Sequence, residues 1–478
     1  MWWQDAVIYQ IYPRSFQDSD GDGVGDLPGI ERRLDHLAWL GVDALWLSPV
    51  YPSPMHDFGY DVADYKDVDP VFGTLEDFDR LVASARERGL RVLLDLVPCH
   101  TSIEHPWFRE HPDWYIWAER PNNWISAFGG SAWSKLDGRY YLHSFYPEQP
   151  DLDWRNPDVI AAMQDVLAFW VERGAAGYRV DAIDRLLKDA ELRDDPPASE
   201  PFGLPLRGDD AKLALTHSRN APDTGAALAR IREAVGDSAL IGEVYMPSAK
   251  WQPYLEHLDA VFAFELLNAT WDAGTLRAAI EATTRRPGAA WVLSNHDFGR
   301  LVTRFGAENA RAAAMMLLTL PGPAFLYQGD EIGLGDGPGG ERSYDRAGRD
   351  RYRHPMQWDA SPTGGFTTGE PWLAAVDPER TNVEDQRDDP RSTLSLVRDL
   401  LTIRRVLGAG IELLDAAPGV LAYRRGDHTV AINTTAEGRP APGAGEVVLE
   451  TVPGAIHRST LAPHAGAITE GLHPSQRG

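Results

Sequence analysis

Cysteine is nearly absent from the 478-residue chain, with Cys99 the only one. A single thiol excludes an intrachain disulfide. Positive charge is also scarce: 46 Lys and Arg face 71 Asp and Glu, for a formal charge of −25. Nucleic acid and anionic membrane surfaces attract basic patches, so neither is expected as a partner. A neutral or cationic small ligand suits this balance better. No apolar run approaches the length of a membrane span, and the opening Met-Trp-Trp-Gln-Asp lacks the basic and apolar regions of a secretion signal. The expectation is therefore a cytoplasmic protein, monomer or homo-oligomer, without membrane attachment. Internal repeats and low-complexity tracts are missing too. Tryptophan is plentiful, at 16 residues. Aromatic faces can serve as platforms for sugar rings, although most Trp in any protein fill cores.

The chain is long enough for one large domain and one or two smaller ones. Short apolar runs at 6–12, 44–49, 92–97, 177–181, 239–243, 260–265, 290–294 and 324–328 read as strands. Helical patterns at 28–40, 75–88, 158–173 and 393–407 alternate with them. Eight strands alternating with helices predict an α/β fold, a (β/α)8 TIM barrel with a closed parallel sheet. Residues 1–100 and 158–408 are assigned to the barrel. Residues 101–157, rich in Trp and Pro, form an inserted domain after strand 3. Residues 409–478 form a small C-terminal antiparallel β domain, whose last eight residues are expected to fray. Polar stretches at 189–222 and 332–390 also follow strands. All three interruptions therefore belong on the C-terminal face of the barrel, where active sites are built.

Three acids share that face. Asp181 ends the fourth strand in Gly177-Tyr178-Arg179-Val180-Asp181, Glu243 ends the fifth, and Asp297 follows the seventh. Residues i and i+2 on a strand point the same way, so Arg179 can lie beside Asp181 and hold it ionised. The intervals between the acids are 62 and 54 residues. One βα unit averages about 31 residues, so the second interval is two units and the first is one unit plus the 189–222 stretch. Paired carboxyls astride an acetal are the machinery of glycoside hydrolysis, and a separation of roughly 5–6 Å belongs to retaining enzymes. Asp181 is expected as nucleophile, Glu243 as acid then base, and Asp297 as stabiliser of the electron-poor ring.

The loop 18–26 carries Asp18, Asp20, Asp22 and Asp26, with Gly23 at a sharp-turn position and the Val24 carbonyl as a further ligand. This reproduces the first nine positions of a Ca²⁺ loop, though Gly29 rather than Glu stands at the twelfth. Crowded carboxylates repel unless a cation neutralises them, so a structural Ca²⁺ is expected, with Mg²⁺ the alternative. No organic cofactor is expected.

The motifs Asp95–His100, Gln149-Pro150-Asp151-Leu152, Gly177–Asp181, Gly242-Glu243, Asn295-His296-Asp297 and Pro355-Met356-Gln357-Trp358 occur in this order. Together they resemble the α-amylase-type glycoside hydrolases over essentially the whole chain, and within them the α-glucosidase/oligo-1,6-glucosidase branch. The resemblance implies a retaining, exo-acting α-glucosidase. It implies that Asp57 and Tyr60 bind and stack the terminal glucose, with Arg353 paired to Asp57. It further implies that His100 and His296 bind hydroxyls, Arg179 orients the nucleophile, and Phe145 and Gln149 line the pocket. The loop 18–26 matches the family's Ca²⁺ loop. Ala182, directly after the nucleophile, resembles members preferring α-1,4 over α-1,6 bonds. Cys99 stands where the motif usually has Asn, so the second Ca²⁺ site of the larger amylases is not expected. A glucosyltransferase or a sugar isomerase (for example, one forming trehalose) would use the same covalent intermediate. A non-catalytic scaffold relative would lack one of the three acids.

Overall fold

The computed structural model describes residues 1–206, 208–339, 344–442 and 445–471. Eight of the apolar runs are parallel strands: β1 Val7–Ile11, β2 Ala44–Leu47, β3 Arg91–Leu96, β4 Gly177–Val180, β5 Ala239–Gly242, β6 Ala260–Phe262, β7 Ala289–Val292 and β8 Ala324–Tyr327. They pair in chain order, and β1 closes the ring by pairing with β8 as well as β2. Two expected elements differ. The run 260–265 is strand only to Phe262, because Leu266 and Leu267 donate back to the Ala263 carbonyl and start the short helix Phe264–Leu267. The helix expected over 28–40 splits into Leu27–Arg32 and Leu34–Leu40. Between them Arg33 leaves helical geometry, its guanidinium 4.1 Å from the centre of a Trp358 ring.

Side chains alternate across each barrel strand. Tyr9, Leu45, Leu94, Tyr178, Leu240 and Trp291 face the surrounding helices. Ile8, Trp46, Leu93, Ile241 and Phe262 fill the barrel interior. Each fully buried Leu or Phe contributes about 1.5–3 kcal/mol. Two residues further along the same inward face, apolar chemistry gives way to Gln10, Asp95, Arg179 and Glu243. The pleat thus sets a polar layer on top of an apolar plug, at the C-terminal end of the strands.

Between β3 and β4, Trp117–Ala118, Trp133–Leu136 and Arg139–Leu142 form a three-stranded antiparallel sheet. Its edge is tied to the stretch after β4. Asn122 Nδ2 donates to Leu192 O, Trp124 Nε1 to Arg193 O and Asn123 Nδ2 to Asp195 O, at 2.8–2.9 Å. Beyond helix Thr393–Arg404 lies a five-stranded antiparallel sheet built around the hairpin Val420–Arg425/His428–Asn433. Arg425 and Tyr423 anchor it to the barrel helix Ala307–Thr319, through the carbonyl and hydroxyl of Thr319. Gly471, the first residue expected to fray, ends the last strand, and the remainder of that tail, 472–478, lies outside the described residues. Among the described residues no helix is long and apolar enough to cross a membrane.

One contact tests the tightness of the β4–β5 pair. Gly177 opposes Ala239, and a Cβ on it would sit 2.3 Å from the Ala239 carbonyl oxygen. Gly177→Ala is expected to lower stability by about 1–3 kcal/mol, the usual effect of overpacking. The check is the urea midpoint at unchanged m-value; an unaltered midpoint would contradict this packing.

Candidate active site

Arg179 is the hub of the polar layer. Its Nη1 lies 2.7 Å from Asp181 Oδ1 and 2.8 Å from Asp95 Oδ1, and its Nη2 lies 2.6 Å from Glu243 Oε2. The guanidinium is wholly buried, and its charge survives because three carboxylates surround it. Asp181 is reached as expected, from two residues along the same strand. Asp95 had no assigned role in the sequence, yet it holds the floor together. Its Oδ2 accepts from Trp46 Nε1 at 3.1 Å and from the Tyr60 hydroxyl at 2.9 Å. Burial raises its carboxyl to about 6, against the pull of Arg179 and Tyr60.

Asp181 and Glu243 are held on Nη1 and Nη2 of the same guanidinium, so the two carboxyls do converge. Burial pushes Asp181 well above the ordinary carboxylate range; Arg179 opposes this, while Glu243 and Asp95 add to it. One carboxylate and one carboxylic acid side by side is the state that displacement with proton donation requires.

Asp297 is set differently. Burial disfavours its charge, but His296, Arg349 and Arg353 together hold it far below the carboxylate range. His296 is itself pushed down to about 3 by burial, so it is neutral and the two guanidiniums carry the effect. Asp297 Oδ1 accepts from Arg349 at 3.0 Å and from Arg353 at 3.1 Å. This corrects the expected pairing of Asp57. The arginine on Asp57 is Arg349, which bridges Asp57, Asp297 and Asp345, whereas Arg353 binds Asp297 and the His296 carbonyl. Both arginines lie on or beside the same short turn, Arg349–Tyr352, four residues apart.

The remaining expected residues divide between lining and support. Asp57, Tyr60, His100, Phe145 and Ala182 line the same cavity of about 350 Å³ as Asp181, Glu243 and Asp297. Tyr60 stacks on His296 with ring centres 5.2 Å apart. Gln149 is not on the lining. It sits behind, donating to Asp57 Oδ2 at 3.0 Å, with His100 Nε2 at 3.1 Å. Arg179, His296 and Arg353 are likewise supports beneath the surface rather than lining residues. Among the described residues no Trp lines the cavity; its aromatic faces are Tyr60, Phe128, Phe145, Tyr245, Phe264, Phe298 and Tyr352. Ala182 is held in left-handed backbone, φ 41°, with its N–H 3.2 Å from Glu243 Oε2. Cys99 is buried behind it, its thiol donating to the Ala182 carbonyl at 3.1 Å.

The outer wall went unread in the sequence. It is made by Asp184 and Arg185, just past β4, and by Asp210 and Arg219 from the 189–222 stretch, with Tyr245 beyond β5. Charged residues in a stretch without periodicity left no signal of where they would point.

In the loop 18–26, carboxylate oxygens of Asp18, Asp20 and Asp22 lie within 4.8 Å of one another. Three hard oxygen donors at that spacing fit Ca²⁺ or Mg²⁺. Asp26 stands outside this group: its oxygens accept from Ser19 N and Gly29 N, capping the helix Leu27–Arg32. Val24 contributes its N–H to Asp22 Oδ1.

Residues 10–409 match the family model described as the alpha amylase catalytic domain. A probable alpha-glucosidase of Rhizobium meliloti (strain 1021) is 40% identical, over 89% of this chain and 87% of its own length. The crystal structure of XgtA, an alpha-glucosyl transfer enzyme, superposes with a TM-score of 0.91 at 38% identity, covering 98% of this chain and 99% of the other. The trehalulose synthase MutB of Pseudomonas mesoacidophila MX-45 gives a TM-score of 0.89 at 32% identity, over 98% and 99%. With its closed barrel, its three acids on one rim and this match along most of its length, the chain belongs to the alpha-amylase catalytic-domain family.

Proposed function

We propose that the protein is a retaining, exo-acting α-glucosidase that releases terminal glucose from short α-glucosides, preferring α-1,4 bonds. The observation that carries this reading is the pairing of Asp181 and Glu243 on one guanidinium, in a cavity whose opposite wall is closed by Arg349. A terminal glucose fits between them with its anomeric carbon over Asp181. The Asp181 carboxylate attacks that carbon, the glycosidic C–O bond breaks, and Glu243 passes its proton to the departing oxygen. Glu243 then removes a proton from water, which displaces Asp181 and restores the starting state. Asp297, kept anionic by Arg349 and Arg353, faces the positive charge that develops on the ring. The Arg349 bridge between Asp57 and Asp297 blocks extension beyond the terminal sugar, which supports attack from the chain end.

Ala182 leaves room beside the second ring, and the small residue supports the α-1,4 assignment. A second reading, transfer of glucose to another sugar, draws on the likeness to XgtA and MutB and on the polar outer wall. It uses the same ester and differs only in the acceptor. A bound Ca²⁺, or Mg²⁺, would be held by Asp18, Asp20 and Asp22 with the Val24 carbonyl, in a structural role. A cytoplasmic location suits a chain with one buried thiol.

Asp181→Asn is expected to reduce turnover of maltose by about 10⁴-fold or more; near-normal turnover would point instead to a non-catalytic scaffold. Wild-type kcat/KM is expected to be higher for maltose than for isomaltose, and Ala182→Val to lower that ratio; a strong isomaltose preference in the wild type would refute the linkage assignment. Glucose as sole product from concentrated maltose favours hydrolysis, whereas new disaccharides favour transfer. Burial of Asp181 also fixes a pH dependence. Its carboxyl is raised, and the nucleophile must be ionised to attack, so glucosylation is expected to rise with pH as Asp181 loses its proton. The check is the stopped-flow burst with p-nitrophenyl α-glucoside, whose leaving group needs no acid; a burst rate that does not fall on acidification would contradict the raised carboxyl. A chelator is expected to lower Tm, and added Ca²⁺ to restore it, by an amount corresponding to about 2.7 kcal/mol at hundredfold saturation; an unchanged Tm would argue against the ion.

A further inference from the structure

On the outer wall, four charged side chains alternate in sign. Arg219 Nη2 lies 3.1 Å from Asp210 Oδ2, and its Nη1 lies 3.5 Å from Asp184 Oδ2. Arg185 Nη2 lies 3.8 Å from the same Asp210 oxygen. All four residues line the cavity that holds Asp181 and Glu243. Two guanidiniums and two carboxylates sum to zero charge. They are fixed to the reaction centre, because Asp184 Oδ1 accepts the N–H of Tyr245, two residues past Glu243. Asp184 O also accepts the N–H of Asn220, next to Arg219.

This network is incomplete. Arg219 Nε and Asp210 Oδ1 are buried and have no hydrogen-bond partner among the described residues. Arg219 is 2% exposed, and Phe202 covers one face of its guanidinium at 5.4 Å. Leaving a charged donor and a charged acceptor unfilled in a buried wall costs free energy in the empty protein. A ligand that supplied one acceptor and one donor would recover it. Adjacent hydroxyls of a sugar ring do that, one accepting from the guanidinium and its neighbour donating to the carboxylate.

We infer that Arg219 and Asp210 form a clamp for the second sugar of the substrate, a neutral ring with vicinal hydroxyls, and for the same ring when it acts as acceptor. The inference rests on the glucosidase reading above and adds the identity of the leaving group and of the residues that select it. The clamp adjoins Glu243 through Asp184, which holds Arg219 and the N–H of Tyr245. A hydroxyl held there attacks the anomeric carbon of the glucosyl ester, its proton passing to Glu243 as the ester bond to Asp181 breaks. The neutral wall gives no net attraction to a phosphate on the second ring.

The test compares maltose with p-nitrophenyl α-glucoside, whose leaving group has no vicinal hydroxyls. Asp210→Asn, Arg219→Lys and Arg219→Gln are each expected to lower kcat/KM for maltose roughly 10- to 100-fold, the loss of one charge-assisted hydrogen bond. The same variants are expected to lose several-fold less on the aryl glucoside than on maltose, and their remaining aryl-glucoside activity also reports that they fold. With the aryl glucoside as donor, transfer to added glucose is expected to fall while transfer to methanol is unchanged. Equal losses on both substrates, no loss on maltose, or a wild-type preference for a disaccharide phosphorylated on the leaving ring would overturn the clamp. A wild type that turns over neither glucoside would overturn the reading of the site itself, a different outcome from any of these.

Discussion

The site depends on one buried positive charge shared by three acids. A guanidinium with no access to water is tolerable only when its charge is answered, and a cluster of carboxyls at the top of an apolar barrel is tolerable only when a cation lies among them. Arg179 meets both conditions for Asp95, Asp181 and Glu243. Its position follows from the two-residue period of a strand: Gly177 and Arg179 face inward, Tyr178 and Val180 face the helices, and Asp181 returns to the inner side. A one-residue slip of β4 would bury Tyr178 in the barrel and turn Arg179 toward the helices.

The wall around Asp297 repeats the logic with twice the positive charge for the same number of acids. There Arg349 and Arg353 serve Asp57, Asp297 and Asp345. Asp297 receives two guanidiniums, which hold it far below the carboxylate range, while Asp181 shares one with two other acids and is raised by burial. The same side chain is therefore held as an anion on one flank and pushed toward its protonated form on the other. Environment, not residue type, separates these tasks.

What was legible in the sequence was what the strands control. Asp181, Glu243 and Asp297 were found because each follows a buried strand at a spacing set by the βα unit, and Arg179 because i and i+2 share a face. Loop residues carry no such period. That is why the resemblance implies Arg353 as the partner of Asp57, whereas the structure puts Arg349 there, four residues earlier. Gln149 was expected on the lining but stands behind it, since a side chain's depth in a loop is decided by its neighbours: here Asp57, His100 and the N–H of Tyr146. Asp95 was visible as part of a motif, but its contact with Arg179 needs the β3–β4 register, which pairs the two directly. Asp26 has the spacing of a fifth ion ligand, but one of its oxygens caps the helix it begins and the other accepts from Ser19 N.

The central claim is that the Asp181 carboxylate becomes covalently bound to the sugar. Mass spectrometry of the protein after reaction with 5-fluoro-α-glucosyl fluoride, a donor whose ester hydrolyses slowly, tests this most directly. The expected result is one fluoroglucosyl group on the peptide containing Asp181, absent when Asp181 is replaced by Asn. An adduct on any other residue, or steady turnover of the reagent with no adduct on Asp181, would contradict the account.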